Sequence, residues 1–176
     1  MKIWLYAGKS GESQTTMVTL PHRGFMPSKN VLSADNQQER LKIIGWIVGF
    51  TDGEGCFSIS IFKNRTTNTG WQVMPEFVVT QGEKSIKSLQ ELQKFFGCGK
   101  IFINHRYDNH HEPLYRYCVR TIKDLREKII PFFEENQLKT AKKKDFDKFK
   151  LVAKLMESNL HWTLDGIESI KKIAKS

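Results

Sequence analysis

The sequence predicts an α+β fold of order α-β-β-α-β-β-α: a four-stranded antiparallel sheet backed by helices, with extra helices after it. Three observations carry that expectation. Gly45-Trp46-Ile47-Val48-Gly49-Phe50 is an apolar segment with glycines at helical spacing. Two later stretches switch to a period of two and each breaks at a polar turn, the pattern of a hairpin. Helical stripes separate and follow the hairpins, and helices set against an antiparallel sheet define the α+β class.

Residues 1–38 are rich in Ser, Gly, Thr, Asn, Gln and Pro and read as a loosely ordered N-terminal extension. Residues 39–176 read as one domain. From Gln38 the pattern tightens into the first helix. Gly45 and Gly49 lie four apart on one helix face, where a missing side chain lets another backbone approach closely. The helix ends at Asp52-Gly53-Glu54-Gly55, which brings two carboxylates to its tip. Either could hold a hard cation such as Mg²⁺.

The period then changes. Phe57, Ile59 and Ile61 alternate with Cys56, Ser58, Ser60 and Phe62, as in a half-buried strand. Asn64 to Gly70 is a turn, and Trp71 to Gln81 completes the hairpin, with Pro75 predicting a bulge or an edge position. Ile86, Leu89, Leu92, Phe95 and Phe96 form a helical stripe over Ser85 to Phe96, and Gly97 stops it. Lys100 to Arg106 and Leu114 to Thr121 make a second hairpin across a polar loop. Helical stretches follow at Ile122 to Glu135, Ala141 to Ser158 and Thr163 to Ala174.

Apolar residues make up 39% of the 176, with 12 Phe and 4 Trp. That is enough for a real core and excludes a disordered chain. The net charge of +9 recurs along the sequence, which favours a polyphosphate partner. Cys56, Cys98 and Cys118 are an odd number without a CxxC pair, which argues against a disulfide framework and a zinc site and for a reducing compartment. The apolar run Ile43 to Phe50 is too short to span a bilayer, and Met1 to Ala7 lacks the apolar stretch of a signal peptide. No membrane partner is expected.

The strand faces differ in chemistry. Phe57, Ile59, Ile61, Ile101, Ile103, Tyr117 and Val119 are expected in the core. Ser58, Ser60, Asn64, Gln72, Lys100, Asn104, Arg106, Arg116 and Arg120 are expected on the other face. A twisted ribbon with such a face fits the major groove of double-stranded DNA. A plain solvated sheet face shows the same alternation.

Ile47-Val48-Gly49-Phe50-Thr51-Asp52-Gly53-Glu54-Gly55 resembles the signature of the LAGLIDADG homing endonucleases. Four further segments resemble that family in the right order. They are Pro75 to Gln81, Phe95 to Ile101, Leu138 to Phe146, and His161 to Ile167. The resemblance covers residues 40 to 174 and implies the family's αββαββα fold, with its DNA-binding saddle. It also implies that Glu54, at the eighth signature position, is the metal-binding carboxylate, with the Gly53 carbonyl as a second oxygen ligand. Asp52 then serves the helix end. Gln81 would position the attacking or metal-bound water, and Lys139, or secondly Lys142, would polarise the scissile phosphate. Some relatives carry a basic residue where this chain has Ser85.

The resemblance therefore implies a site-specific, Mg²⁺-dependent endonuclease, with Mn²⁺ as a substitute, that cuts both DNA strands. One signature makes one site, so a homodimer is expected. It would pack through Gly45, Trp46, Val48 and Gly49 and act on a long pseudo-palindromic target. Such genes sit in organellar or prokaryotic genomes. The alternative is an intron maturase that binds host intron RNA without cutting DNA.

Overall fold

The computed structural model describes residues 34–104 and 113–176. Arg106 and the loop expected at 107–112 therefore lie outside the described residues, as do residues 1–33. Helix α1 (Ala34–Glu54) runs into strand β1 (Gly55–Lys63) without a loop. The abrupt change of direction depends on Gly55. A Cβ there would lie 2.6 Å from the Thr51 methyl and 2.7 Å from the Thr51 carbonyl oxygen. The helix begins at Ala34, inside the stretch expected to be loosely ordered.

β1 returns through a turn stapled by Asn64, whose Oδ1 accepts the Thr66 amide N–H at 3.0 Å. β2 (Trp71–Gly82) follows, then a short 3₁₀ turn (Glu83–Ser85) and α2 (Ile86–Phe96). β3 (Lys100–Asn104) and β4 (Leu114–Val119) form the second hairpin. All pairings are antiparallel, in the order β1-β2-β4-β3.

After the sheet, α3 (Ile122–Asp124) continues through a π-helical segment (Leu125–Ile129) into α4 (Ile130–Glu135). The sequence reads as one plain helix here. Pro131 explains the wider turn, because its ring lacks an N–H and crowds the carbonyl one turn back. α5 (Lys142–Glu157), a 3₁₀ turn (Leu160–Trp162) and α6 (Leu164–Lys175) complete the chain. Among the described residues no helix is long and apolar enough to cross a membrane.

The core lies between the helices and one sheet face. Phe57 is its hub, with ring centroids of Phe77, Phe133, Phe146 and Phe149 at 5.1, 5.3, 5.1 and 5.4 Å. Burying one such ring stabilises the fold by about 1.5–3 kcal/mol, before any contribution from ring–ring geometry. Phe57 is only two residues from Gly55, so this packing also fixes the end of α1. Val73, Val152, Met156, Ile167 and Ile170 form a second cluster that docks α6.

Three details depart from the sequence expectations, and a fourth bears on one. Ile103 is 52% exposed instead of buried, because it is the penultimate residue of β3, an edge strand. Pro75 lies in a central strand, in unbroken register opposite Ile59. Pairing with β4 starts only at Phe77, so on that side Pro75 has no ladder to interrupt. Phe95 is 40% exposed, packing edge-on against Phe96 and Phe132 at the rim of the stripe. Val48, expected at a dimer interface, is half-buried against the core of its own chain.

Candidate active site and nucleic-acid interface

The tip of α1 is held by the segment that leads into α5. Asp52 Oδ2 accepts the Lys139 amide N–H at 2.8 Å. Its Oδ1 accepts the Thr140 amide at 3.2 Å and the Thr140 hydroxyl at 2.8 Å. In return, the Lys142 ammonium donates to the Asp52 carbonyl at 2.9 Å and to the Gly53 carbonyl at 2.6 Å. Those carbonyls are orphan acceptors at the negative end of a helix, where a cation is favoured. Burial pushes the Asp52 carboxyl up, but the bonds from Lys139 and Thr140 and the Lys142 charge outweigh it and hold the group below its ordinary value.

This latch distinguishes the two acids that spacing alone left as alternatives. Asp52 spends both oxygens on the latch. Glu54 is exposed and its carboxylate makes no hydrogen bond or ion pair with another described residue. The two lysines separate as well. Lys142 is committed to the helix end, whereas Lys139 is anchored by its backbone and its ammonium pairs with no described residue. Gln81 lies on the core face of β2, opposite Tyr115. The register places it two residues past the Gly55–Val79 pair, beside the junction of α1 and β1.

The donor chemistry of the tip suits a hard cation, since a free carboxylate stands at the end of a helix. The Gly53 carbonyl already accepts the Lys142 ammonium, itself a cation. No three His, Cys, Asp or Glu side chains cluster as a metal site among the described residues. One copy of the tip therefore fits as part of an oxygen shell.

The helix-free sheet face carries the described residues expected to meet nucleic acid, and several are already engaged. Ser58 Oγ donates to the Glu76 carbonyl at 3.3 Å. Asn64 Nδ2 donates to Gln72 Oε1 at 2.7 Å, locking the hairpin tip. Ser60, Lys100 and Asn104 are exposed. Arg116 and Arg120 are both paired with Glu76, which the sequence reading passed over. An acid midway along a basic sheet face was the available signal. The same face also carries exposed Phe62 and Phe102, so it is less polar than the alternation suggested.

On α1, Gly45 and Gly49 face outward. A Cβ at either, or at Gly53, would meet nothing within 4 Å among the described residues. Trp46 beside them is 36% exposed and stacks on Phe50 at 5.3 Å.

Comparison with known proteins bears on the family and the fold. The family model described as LAGLIDADG endonuclease matches residues 47–153. A probable intron-encoded endonuclease 2 of Neurospora crassa is 30% identical over 173 residues, 94% of this chain but 35% of that protein. The chain thus spans about a third of that relative's length. The crystal structure of the homing endonuclease I-TnaI is 42% identical, with a TM-score of 0.68 over 74% of this chain and 84% of that one. I-SmaMI, bound to uncleaved target DNA in the presence of calcium ions, is 28% identical with a TM-score of 0.68. That match covers 75% of this chain and 43% of I-SmaMI.

Proposed function

From the premise that this chain belongs to the LAGLIDADG endonuclease family, we propose that it is a site-specific, metal-dependent DNA endonuclease. Two copies of the fold cut the two strands of one duplex. The observation that carries this reading is the division of labour at the α1 tip. Asp52 and Lys142 build the latch, while the Glu54 carboxylate and the Lys139 ammonium have no partner among the described residues.

In this reading Glu54 would hold Mg²⁺, or Mn²⁺ in its place, as one ligand of an oxygen shell. The metal would make a nucleophile of water near neutral pH and offset charge on the leaving 3′ oxygen. Lys139 meets a non-bridging oxygen of the scissile phosphate, and Gln81 orients the attacking water. The sheet face lies in the major groove, and its Lys and Arg residues neutralise phosphates. The two copies pair through the open Gly45/Gly49 face as a homodimer, whose two-fold axis matches a pseudo-palindromic target. An intron in an organellar or prokaryotic genome is the proposed setting, as the intron-encoded relative suggests.

The test is a plasmid carrying the intronless target, incubated with Mg²⁺ or with EDTA. Linearisation in Mg²⁺ alone is expected. Glu54→Gln should bind the target with near-wild-type affinity yet cut at least a hundredfold more slowly. Full cutting by that variant would sink the site assignment. Binding without any metal-dependent cutting by the wild type would point instead to an RNA- or DNA-binding role.

A further inference from the structure

We infer that Glu76 is a positioning residue for base readout: it sets the orientation of Arg116 and Arg120 on the groove-facing side of the sheet and so determines which base pairs they accept. This rests on the proposed reading that this face enters DNA. Glu76 lies on the helix-free face of β2 yet is only 5% exposed. A carboxylate so removed from water must be paired, and two arginines pair it. Arg116 Nη2 donates to Oε1 at 3.0 Å, and Arg120 Nε donates to Oε2. Each carboxylate oxygen thus fixes one guanidinium. Arg120 is held from a second side, with its Cζ 5.5 Å from the Phe102 ring centroid.

Both arginines nonetheless keep 38% and 45% of their side-chain surface exposed. Each retains N–H donors not used by Glu76, because a guanidinium has five in a fixed fork. The strand register separates the two by Cys118, which is buried on the same face between them. Two arginines anchored on one carboxylate, with donors still free, are prepared for bidentate contacts to guanine edges. Fixing the rotamers before binding lowers the entropy lost on association, and it restricts each fork to one approach. A freely rotating arginine would serve any nearby phosphate or base equally well. The triad carries a net charge of +1, so Glu76 costs the face general attraction to phosphate while adding direction.

The experiment is selection from a randomised duplex library by the full chain, followed by binding of the enriched site and its single-base variants across a salt series. Arg116→Ala and Arg120→Ala first identify the base positions that depend on each arginine, where the wild type should discriminate roughly tenfold. Glu76→Gln should flatten preference at those same positions to within about twofold. Its affinity for unrelated duplex should stay level or rise, since one negative charge is gone. Glu76→Asp keeps the charge but draws it back by one methylene, and should show an intermediate loss if the Gln variant folds poorly. Unchanged preference in both variants would overturn the inference. So would an equal loss of affinity for all sequences in step with a lowered melting temperature, the mark of a purely structural acid. If the wild type enriches no duplex, the DNA reading itself fails and this inference with it.

Discussion

At the scale of single residues, the α1 tip shows how neighbouring carboxylates acquire different tasks. Asp52 faces two backbone N–H groups and a hydroxyl, and its two oxygens meet all three. Asparagine keeps the shape but not the chemistry. With its oxygen toward Thr140, its NH₂ would face the Lys139 N–H, donor against donor. Asp52→Asn should therefore cost about 1–2 kcal/mol of stability, from a charge-assisted bond lost and a donor left facing a donor. It should also displace Lys139 and slow cleavage by ten- to a hundredfold with little change in target affinity. The pH dependence has a definite sign. Because the folded-state value lies below the ordinary 3.8, the Asp52 contribution is present above that pH and is lost as pH falls through the lower, folded value. Thermal melts of wild type and variant should converge in strong acid and separate near neutrality. Curves that stay parallel across that range would remove Asp52 from the latch.

At the scale of elements, most of the architecture was legible because local signals and packing agree. Phe57, Ile59 and Ile61 do face the helices, and Gly97 does follow the last residue of α2. What was not legible depended on neighbours. Ile103 alternates correctly but sits at the end of an edge strand, and only the strand order reveals that. Pro75 is tolerated because β4 pairs only from Phe77, a fact of register between distant segments. The candidate site shows the same limit. Glu54 stood out by position, yet the burial of Glu76 and its two arginines joins residues forty and more apart in sequence. The α6 start is a local case and gives a local prediction. Thr163 Oγ1 accepts the Gly166 N–H at 3.1 Å as the N-cap. A Cβ on Gly166 would lie 1.9 Å from the Leu160 carbonyl oxygen. Thr163→Ala should destabilise the fold by about 1 kcal/mol in chemical denaturation, the usual value of an N-cap. Gly166→Ala should cost more, because backbone must move to admit the methyl. The reverse order would mean that the turn before α6 yields more easily than the cap.

At the scale of the whole molecule, the open question is what covers α1. Its outward face offers Gly45, Gly49 and Gly53 in a row, flanked by Leu41, Ile43 and Trp46, which are 66%, 47% and 36% exposed. Glycine inside a helix costs roughly 1 kcal/mol relative to alanine, so three of them weaken an element that the fold depends on. Among the described residues of one copy nothing uses the space they leave. A second helix crossing at those glycines would use it, bringing two Glu54 carboxylates together where the described residues of one tip supply a single unpaired one. The two explanations predict opposite results for Gly49→Leu. If the face is merely solvated, leucine meets no obstacle, raises helix propensity and leaves the state of association unchanged. If the face is the pairing surface, the variant should still fold, with unchanged circular dichroism, but sediment as a monomer at concentrations where the wild type is a dimer. It should then lose double-strand cleavage while each copy keeps its latch. A wild type that sediments as a monomer at every concentration, free and DNA-bound, would instead exclude the homodimer.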